Sequence, residues 1–244
     1  MKILETKNLT KHFNGVHAVN NLSVKFESGK ITGIIGPNGS GKSTLVNLLS
    51  GFISIDEGVV VVSESKSFSK IKPYEISFYG ITRTFQNIRL FEQMSVLDNI
   101  LVVLTERRFL SALFEKHGEY HLKKAEEVLT KVGLWGKRHD LAINLSYGQR
   151  KLLEIARAMA MEAEIYLLDE PFAGLFPEMV KIISSVIKEL KTKGKTIILI
   201  EHNMALIREL SDYVFVMDSG SLLAEGEPNA VLSKREVIEA YLGE

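Results

Sequence analysis

The most informative stretch of the chain is ITGIIGPNGSGKSTLVNLLSGF, residues 31–52. It begins with a continuous apolar run of strand length, residues 31–35, and ends with apolar residues at helical spacing. Between them, GPNGSGKS at residues 36–43 fits the pattern G-x-x-x-x-G-K-[ST]. Glycines let the backbone curl with its N–H groups inward, where they and the following helix N-terminus can bind phosphate. The sequence therefore predicts a phosphate-binding loop, and an incidental glycine-rich turn is the weaker alternative.

Four side chains carry the chemistry expected of such a site. Lys42 is placed to reach phosphate oxygens as a point charge, and the Ser43 hydroxyl is placed to bind Mg²⁺. In IYLLDE, residues 165–170, an apolar strand ends in two carboxylates. Asp169 would supply an outer oxygen ligand to Mg²⁺, and Glu170 would orient or deprotonate an attacking water. Without the phosphate loop, the same residues would indicate only a strand that ends in an acidic loop.

The pentapeptide LSYGQ, residues 145–149, precedes an amphipathic helix predicted for residues 149–161. Ser146 is suited to a helix N-cap, and Gly148 allows another backbone to approach closely. Taken alone, the pentapeptide indicates no more than a capped helix. It lies about one helix and one turn before Asp169, which relates it to the acidic motif.

Composition disfavours several other classes of protein. The chain has 244 residues, 45% hydrophobic and 25% charged, as is ordinary for a globular protein. Thirty basic and thirty acidic residues cancel, which disfavours a nucleic-acid-binding protein with a broad basic face. The absence of cysteine excludes disulfides, thiolate zinc sites and cysteine nucleophiles. No apolar run approaches the ~20 residues of a membrane helix, so the sequence predicts a soluble or peripheral protein.

The rest of the chain predicts strands and helices that alternate around a helical insert. Period-two alternation predicts strands at 3–9 and 22–26, and apolar runs predict strands at 165–168 and 196–200. Between residues 87 and 144 helical patterns replace strands, which indicates an insert between two strand-rich halves. Further strands are predicted at 59–62, 213–217 and 222–225, and helices at 96–104, 107–115, 120–132, 177–191, 204–210 and 235–242.

Together these motifs resemble those of the ATP-binding-cassette (ABC) ATPases over essentially the whole chain. GPNGSGKST resembles the phosphate loop of that family, LSYGQ its signature LSGGQ, and LLDEP its second acidic motif. Gln86, after ITRTF, falls at the Q-loop glutamine, and His202 in LIEHN falls at the switch histidine. Phe13 in KHFNG falls at the aromatic residue that stacks on adenine. Each of these three alone would indicate only a loop, a capped helix or a core aromatic residue.

The resemblance implies the ABC ATPase fold. This fold is an α/β P-loop NTPase core of RecA-like type with a parallel sheet, an N-terminal antiparallel β subdomain and a helical insert. Residues 1–86 and 145–244 would form the ATP-binding core with the β subdomain, and residues 87–144 the helical subdomain, within one ABC transporter domain. ATP and Mg²⁺ are the implied cofactors.

The resemblance also assigns roles to individual residues. Glu170 is the implied catalytic base, and His202 and Gln86 would sense the γ-phosphate. Mg²⁺ is expected at Ser43, Gln86 and Asp169. The residues expected to bind the nucleotide are Phe13, Gly36, Pro37, Asn38, Gly39, Ser40, Gly41, Lys42, Ser43, Thr44, Ser146, Gly148 and Gln149.

Two residues depart from the common family pattern. Tyr147 stands where the signature usually has Gly, and this form matches a branch of the family. Phe176, in AGLFP, stands where a polar Asp or Asn is usual. It would remove a polar contact across the cassette dimer.

A narrower resemblance, to the ATPase subunits of branched-chain amino acid importers, is carried by TRTFQNIRLFEQMSVLDNI, NLSYGQRKLLEIARAMA, IEHNM and VIEAYLGE. It implies ATP hydrolysis coupled to uptake through separate integral-membrane permease subunits, at the cytoplasmic face of the cell membrane. The resemblance also implies a second ATPase subunit, identical or different, as a partner, and indirectly a solute-binding protein. It implies no nucleic-acid partner. ATPases of lipid or lipopolysaccharide exporters share much of this sequence and are the alternative. A soluble non-transport ABC protein is disfavoured by the single cassette and the lack of cysteine.

Overall fold

The computed structural model describes residues 4–63, 66–104 and 118–242. The helix predicted at 107–115 lies outside the described residues. The strands are β1 Leu4–Phe13, β2 Val16–Leu22, β3 Lys25–Phe26, β4 Ile31–Ile35, β5 Glu57–Ser63, β6 Lys66–Phe68, β7 Ile81–Arg83, β8 Ile165–Asp169, β9 Thr196–Ile200, β10 Tyr213–Asp218 and β11 Ser221–Gly226. The helices are α1 Lys42–Leu49, α2 Val96–Leu104, α3 Gly118–Lys131, α4 Tyr147–Ala160, α5 Pro177–Thr192, α6 Met204–Leu210, α7 Pro228–Leu232 and α8 Arg235–Leu242.

The described chain separates into two compact units. The first contains residues 4–83, 164–170 and 187–242, and it holds all the strands given above. The second contains residues 84–104, 118–163 and 171–186, and it holds α2, α3 and α4. This second unit extends beyond the insert expected at 87–144, because α4 packs against α2 and α3.

The central sheet of the first unit is parallel except at one edge. Within the described residues its strand order is β11-β10-β4-β9-β8-β7, and only β11 runs antiparallel to its neighbour. Strands β4, β8 and β9 are buried along their whole length, which explains why their sequences are mostly apolar. Since parallel strands share a carboxyl edge, the residues that follow β4, β8 and β9 emerge at the same edge of the sheet.

The first unit also contains an antiparallel sheet. Its order in the described chain is β2-β1-β5-β6, with β3 paired to β1. The prediction of one strand at 22–26 is wrong, because a two-residue break separates β2 from β3. The signal for the observed β1–β2 hairpin is Asn14-Gly15, whose positive φ angles of 47° and 85° suit a tight turn between paired strands.

Buried side chains from both sheets and from α1 form one continuous core in the first unit. Leu48 of α1 is fully buried in it, and Phe26 and Phe215 meet edge to face with ring centroids 5.3 Å apart. This packing holds α1, and therefore the loop before it, against the parallel sheet. Separately, none of the described helices is both long enough and apolar enough to cross a lipid bilayer.

We expect one ion pair of the antiparallel sheet to make stability depend on pH. Lys11 Nζ lies 2.6 Å from Asp56 Oδ1, and the His12 N–H donates to Asp56 Oδ2. These bonds, the one from Lys11 first, lower the pKa of Asp56 from 3.8 to about 2. Because the folded-state pKa is depressed, the stabilisation is complete above the unfolded value and is lost as pH falls through about 2.

Asp56→Asn should therefore lower the free energy of unfolding at pH 7 by about 0.5–1 kcal/mol, the size typical of a partly exposed ion pair. At pH 2 the loss should be much smaller. Urea unfolding at both pH values measures the difference, with Glu57→Gln at the neighbouring exposed carboxylate as the control. An equal loss at both pH values would contradict the ion pair as its cause.

Candidate functional site

The loop between β4 and α1 is organised by the ammonium group of Lys42. Lys42 Nζ donates hydrogen bonds to the carbonyl oxygens of Gly36 and Pro37 at 2.8 and 2.7 Å. It also donates to Ser40 Oγ at 3.2 Å, and the residue is buried. The positive charge therefore lies within the loop, at the first residue of α1.

Close backbone contacts explain the glycines at two positions of this loop. A Cβ at Gly36 would lie 2.1 Å from the carbonyl oxygen of Met217, and one at Gly41 would lie 2.2 Å from that of Ala18. Both glycines have positive φ, 152° and 98°, which other residues rarely adopt. Of the other loop residues, Pro37 and Ser40 are buried, Thr44 is half-buried, and Asn38, Gly39 and Ser43 are exposed.

A buried ion pair lies at the carboxyl ends of β7 and β8. Arg83 Nη2 donates to Asp169 Oδ2 at 2.9 Å, and the two side chains are 6% and 4% exposed. Arg83 Nη1 donates to Asn47 Oδ1 and Ser50 Oγ, both at 2.7 Å. Asp169 is therefore fixed relative to α1, the helix that follows the loop.

Glu170 and His202 meet just beyond the carboxyl ends of β8 and β9. Glu170 Oε1 lies 3.0 Å from His202 Nε2, and the Glu170 N–H donates to the Ile200 carbonyl at 3.0 Å. Glu170 has a φ of 47°, in the left-handed region. The His202 N–H donates to the buried Glu201 carboxylate, and Asn203 caps the following α6. Hydrogen bonds from the backbone N–H groups of Glu170 and His202 therefore hold the two side chains in place.

Phe13 ends β1 and presents its ring to solvent. It is 46% exposed, and Lys11 Nζ lies 5.4 Å from the ring centroid. The β1–β2 hairpin that carries this ring also passes close to the phosphate loop, since Ala18 of β2 lies against Gly41. Phe13 thus offers an accessible aromatic face on the hairpin whose second strand, β2, neighbours the loop.

The remaining predicted site residues belong to the second unit. Ser146 Oγ accepts the Gln149 N–H at 3.3 Å, and Gln149 Oε1 accepts the Ser146 N–H at 3.1 Å. This reciprocal pair is a capping box at the start of α4. Gly148 is buried, and a Cβ there would lie 2.1 Å from Met179 Sδ. Gln86 is exposed, three residues beyond the end of β7.

The two residues that depart from the common family pattern are both exposed. Tyr147 is 51% exposed, and its ring lies against Gly174, where an added Cβ would be 3.3 Å from Cε1. Phe176 is 73% exposed and directly precedes α5, which begins at Pro177. The signature segment and the turn before α5 therefore present aromatic side chains to solvent.

The parallel sheet brings most of the predicted site residues of the first unit to one of its edges. The loop at 36–44, Asp169, Glu170 and His202 all follow or end strands at the carboxyl edge of that sheet. Sequence reasoning missed Arg83, which pairs with Asp169. Its only sequence signal is a basic residue at the end of a short strand, and the pairing follows from the order of β7 and β8 in the sheet.

The comparisons with known proteins agree with this fold. Residues 19–173 match the family model described as ABC transporter. The chain is 41% identical to the "Probable branched-chain amino acid transport ATP-binding protein LivG" of Archaeoglobus fulgidus, over 100% of this chain and 96% of that protein. The ADP conformation of MJ1267, an ATP-binding cassette of an ABC transporter, has a TM-score of 0.86 at 38% identity over 100% of both chains. A dimeric post-hydrolysis state of the cassette MJ0796, bound to ADP and Pi, has a TM-score of 0.81 at 25% identity, covering 92% and 98%.

These matches confirm the fold and the family that the sequence motifs predict. The family model covers more than half of the chain, and the similarity to the Archaeoglobus fulgidus relative extends over all of it. The fold is that of nucleotide-binding cassettes, and the two solved cassettes named above are both ADP forms. The chain belongs to the family of ABC transporter ATP-binding cassettes.

Proposed function

We propose that this chain is the ATP-hydrolysing subunit of an ABC transporter that energises import of branched-chain amino acids through a separate permease. The observation that carries the ATPase activity is the contact between Glu170 and His202 at 3.0 Å, on the sheet edge that also bears the phosphate loop. The cargo rests on a relative, since the Archaeoglobus fulgidus protein is named for branched-chain amino acid transport.

In this function the loop and Lys42 bind the phosphates of ATP. A phosphate oxygen would give Lys42 Nζ an anionic partner in addition to the carbonyl oxygens of Gly36 and Pro37, and such charge-assisted bonds are the stronger kind. The N–H groups of the loop and the positive end of α1 attract the same phosphates. Phe13 would stack on the adenine ring through its exposed face.

Ser43, Gln86 and Asp169 are the residues that would hold Mg²⁺. They offer a hydroxyl, an amide carbonyl and a carboxylate, and these hard oxygen ligands suit Mg²⁺, which completes its coordination with phosphates and water. Arg83 holds the Asp169 carboxylate at 2.9 Å, so this ligand is fixed in advance. When bound, the metal would neutralise charge on the β- and γ-phosphates.

Glu170 and His202 supply the chemistry that the chain itself contributes to hydrolysis. The Glu170 carboxylate would polarise the attacking water and accept its proton, because it stands directly after the proposed metal ligand Asp169. His202 would orient that carboxylate and contact the γ-phosphate. Little further covalent chemistry is required, since phosphoryl transfer depends mainly on positioning and charge stabilisation.

The capped start of α4 gives the chain a second, separate role in ATP binding. Ser146, Gly148 and Gln149 would approach the γ-phosphate of ATP held by a second ATPase subunit, where the helix N-terminus favours negative charge. The dimeric state of the similar cassette MJ0796 supports this arrangement. Permease subunits and, through them, a solute-binding protein would complete the transporter, with this chain peripheral at the cytoplasmic face of the membrane.

Glu170→Gln should lower turnover by about 100-fold or more while ATP still binds, because the amide keeps the shape of the side chain but not its basicity. Phosphate release from the purified protein with Mg-ATP measures turnover, and titration calorimetry measures binding. Glu209→Gln, an exposed glutamate paired with Lys188, is the matched control and should hydrolyse ATP normally. Near-normal hydrolysis by Glu170→Gln would show that another residue is the base.

Lys42→Ala should weaken ATP binding about 10- to 100-fold, since hydrogen bonds to charged groups are worth about 1.5–3 kcal/mol. Titration calorimetry with ATP gives the affinity, and circular dichroism shows whether the variant is folded. Lys188→Ala removes an exposed lysine and should bind ATP normally. If a folded Lys42→Ala protein bound ATP as tightly as the wild type, Lys42 would not contact the phosphates.

Glu170→Gln should form dimers with ATP and remain monomeric with ADP, because the bound γ-phosphate links the two subunits and shifts the equilibrium. Sedimentation velocity across a series of ATP concentrations measures this change. The double variant Lys42→Ala/Glu170→Gln, which should bind ATP weakly, is the control and should stay monomeric. A Glu170→Gln protein that stays monomeric when saturated with ATP would count against the shared-nucleotide arrangement.

A further inference from the structure

Three side chains on one face of α4 hold both ends of the short segment that contains Gln86. They are Lys151, Glu154 and Arg157, which are spaced three residues apart along the helix. We name residues 85–89 the Gln86 segment. All of these residues lie in the second unit, and none of the three helix residues was singled out by the sequence motifs.

At the first end of the Gln86 segment, an ion pair binds both backbone groups of Phe85. Glu154 Oε1 accepts the Phe85 N–H at 3.1 Å, and Lys151 Nζ donates to the Phe85 carbonyl at 2.8 Å. The two charged groups lie 3.2 Å apart, and their side chains are 0% and 6% exposed. The residue directly before Gln86 is therefore fixed to α4 through its donor and its acceptor.

At the other end of the segment, Arg157 binds the backbone of Arg89. Arg157 Nη1 donates to the Arg89 carbonyl at 2.6 Å. The Arg89 guanidinium in turn lies over the Phe85 ring, 4.1 Å from its centroid, so the two ends of the segment also contact each other. Gln86 itself is exposed between these two fixed points.

Stability alone does not account for the Lys151–Glu154 pair. Burial raises the pKa of Glu154, and this effect is opposed by Lys151 and by the backbone amides of Phe85 and Arg89. Taking both charges out of water is costly, and well-packed apolar side chains often stabilise a fold equally well or better. What apolar side chains cannot supply is a donor and an acceptor for the backbone beside Gln86.

We propose that Lys151, Glu154 and Arg157 are positioning residues for Gln86. They fix the backbone on both sides of it and tie it to the helix whose first turn carries the signature segment at Ser146. The inference rests on the proposed function, in which Gln86 contacts Mg²⁺ and the γ-phosphate. Gln86 and the signature segment are therefore anchored to the same helix, α4.

The informative variant is Lys151→Met/Glu154→Gln, studied as the purified chain with Mg-ATP. Each single change leaves an unpaired buried charge and should lower the melting temperature, whereas the double change removes both charges and should restore it. The introduced amide can still accept the Phe85 N–H, but the Phe85 carbonyl loses its cation. We expect kcat to fall about 10-fold with KM for ATP changed less than about twofold, because misplacement of a catalytic group affects the reaction more than binding.

Gln86→Ala separates positioning from a merely structural role. On its own it should lower kcat, and when added to the double variant it should lower kcat little further, because the contribution of Gln86 is already lost. Lys124→Met/Glu162→Gln neutralises another ion pair of the same unit, at 2.6 Å, and should keep normal kcat. Arg157→Lys, which keeps a cationic donor, should retain more activity than Arg157→Met.

Two results would overturn the inference while leaving the proposed function standing. One is a double variant with normal kcat in a protein whose Gln86→Ala change lowers kcat. The other is full additivity of the Gln86→Ala and double-variant losses. A wild-type chain that does not hydrolyse ATP, or a Gln86→Ala variant with normal kcat, would instead overturn both the inference and the role assigned to Gln86.

Discussion

The buried pair of Arg83 and Asp169 fixes the geometry of the candidate site. A carboxylate removed from water is costly without a well-placed cation or hydrogen-bond donors, and the Arg83 guanidinium, at 2.9 Å, is both. The same guanidinium binds Asn47 and Ser50, so one side chain joins β7, β8 and α1. The phosphate loop precedes α1 and Glu170 follows Asp169, and both therefore depend on this contact for their position.

The elements best predicted from the sequence are strands buried along their whole length and a helix with a strongly apolar sequence. The bounds of β4 and β9 agree with their apolar runs, and α2 spans the predicted residues 96–104. The hairpin strand β2 was missed because only Val19 and Leu22 of it are buried, so its sequence has no strong apolar pattern; its clearest signal is the Asn14-Gly15 turn. Local signals of this kind are short, so they are easily overlooked beside a longer alternating run.

Within the site, the predictable part is the part that is continuous in sequence. The loop at 36–43 contains its own cation, and Asp169 and Glu170 end one apolar strand, so local pattern and chemistry point to the same residues. Arg83 and the pair Lys151–Glu154 carry no such local signal. Their partners lie far away in the chain, and only the folded sheet and the packing of α4 bring them together.

In the proposed function, activity and stability oppose each other at Glu170. Its φ of 47° belongs to a region that glycine and asparagine occupy with less strain than a glutamate, by about 1 kcal/mol or more. Replacement by either residue would relax the backbone and remove the carboxylate at once. Selection for thermal stability alone, in the laboratory or during evolution, would therefore favour a more stable cassette that still binds its nucleotide but no longer hydrolyses it.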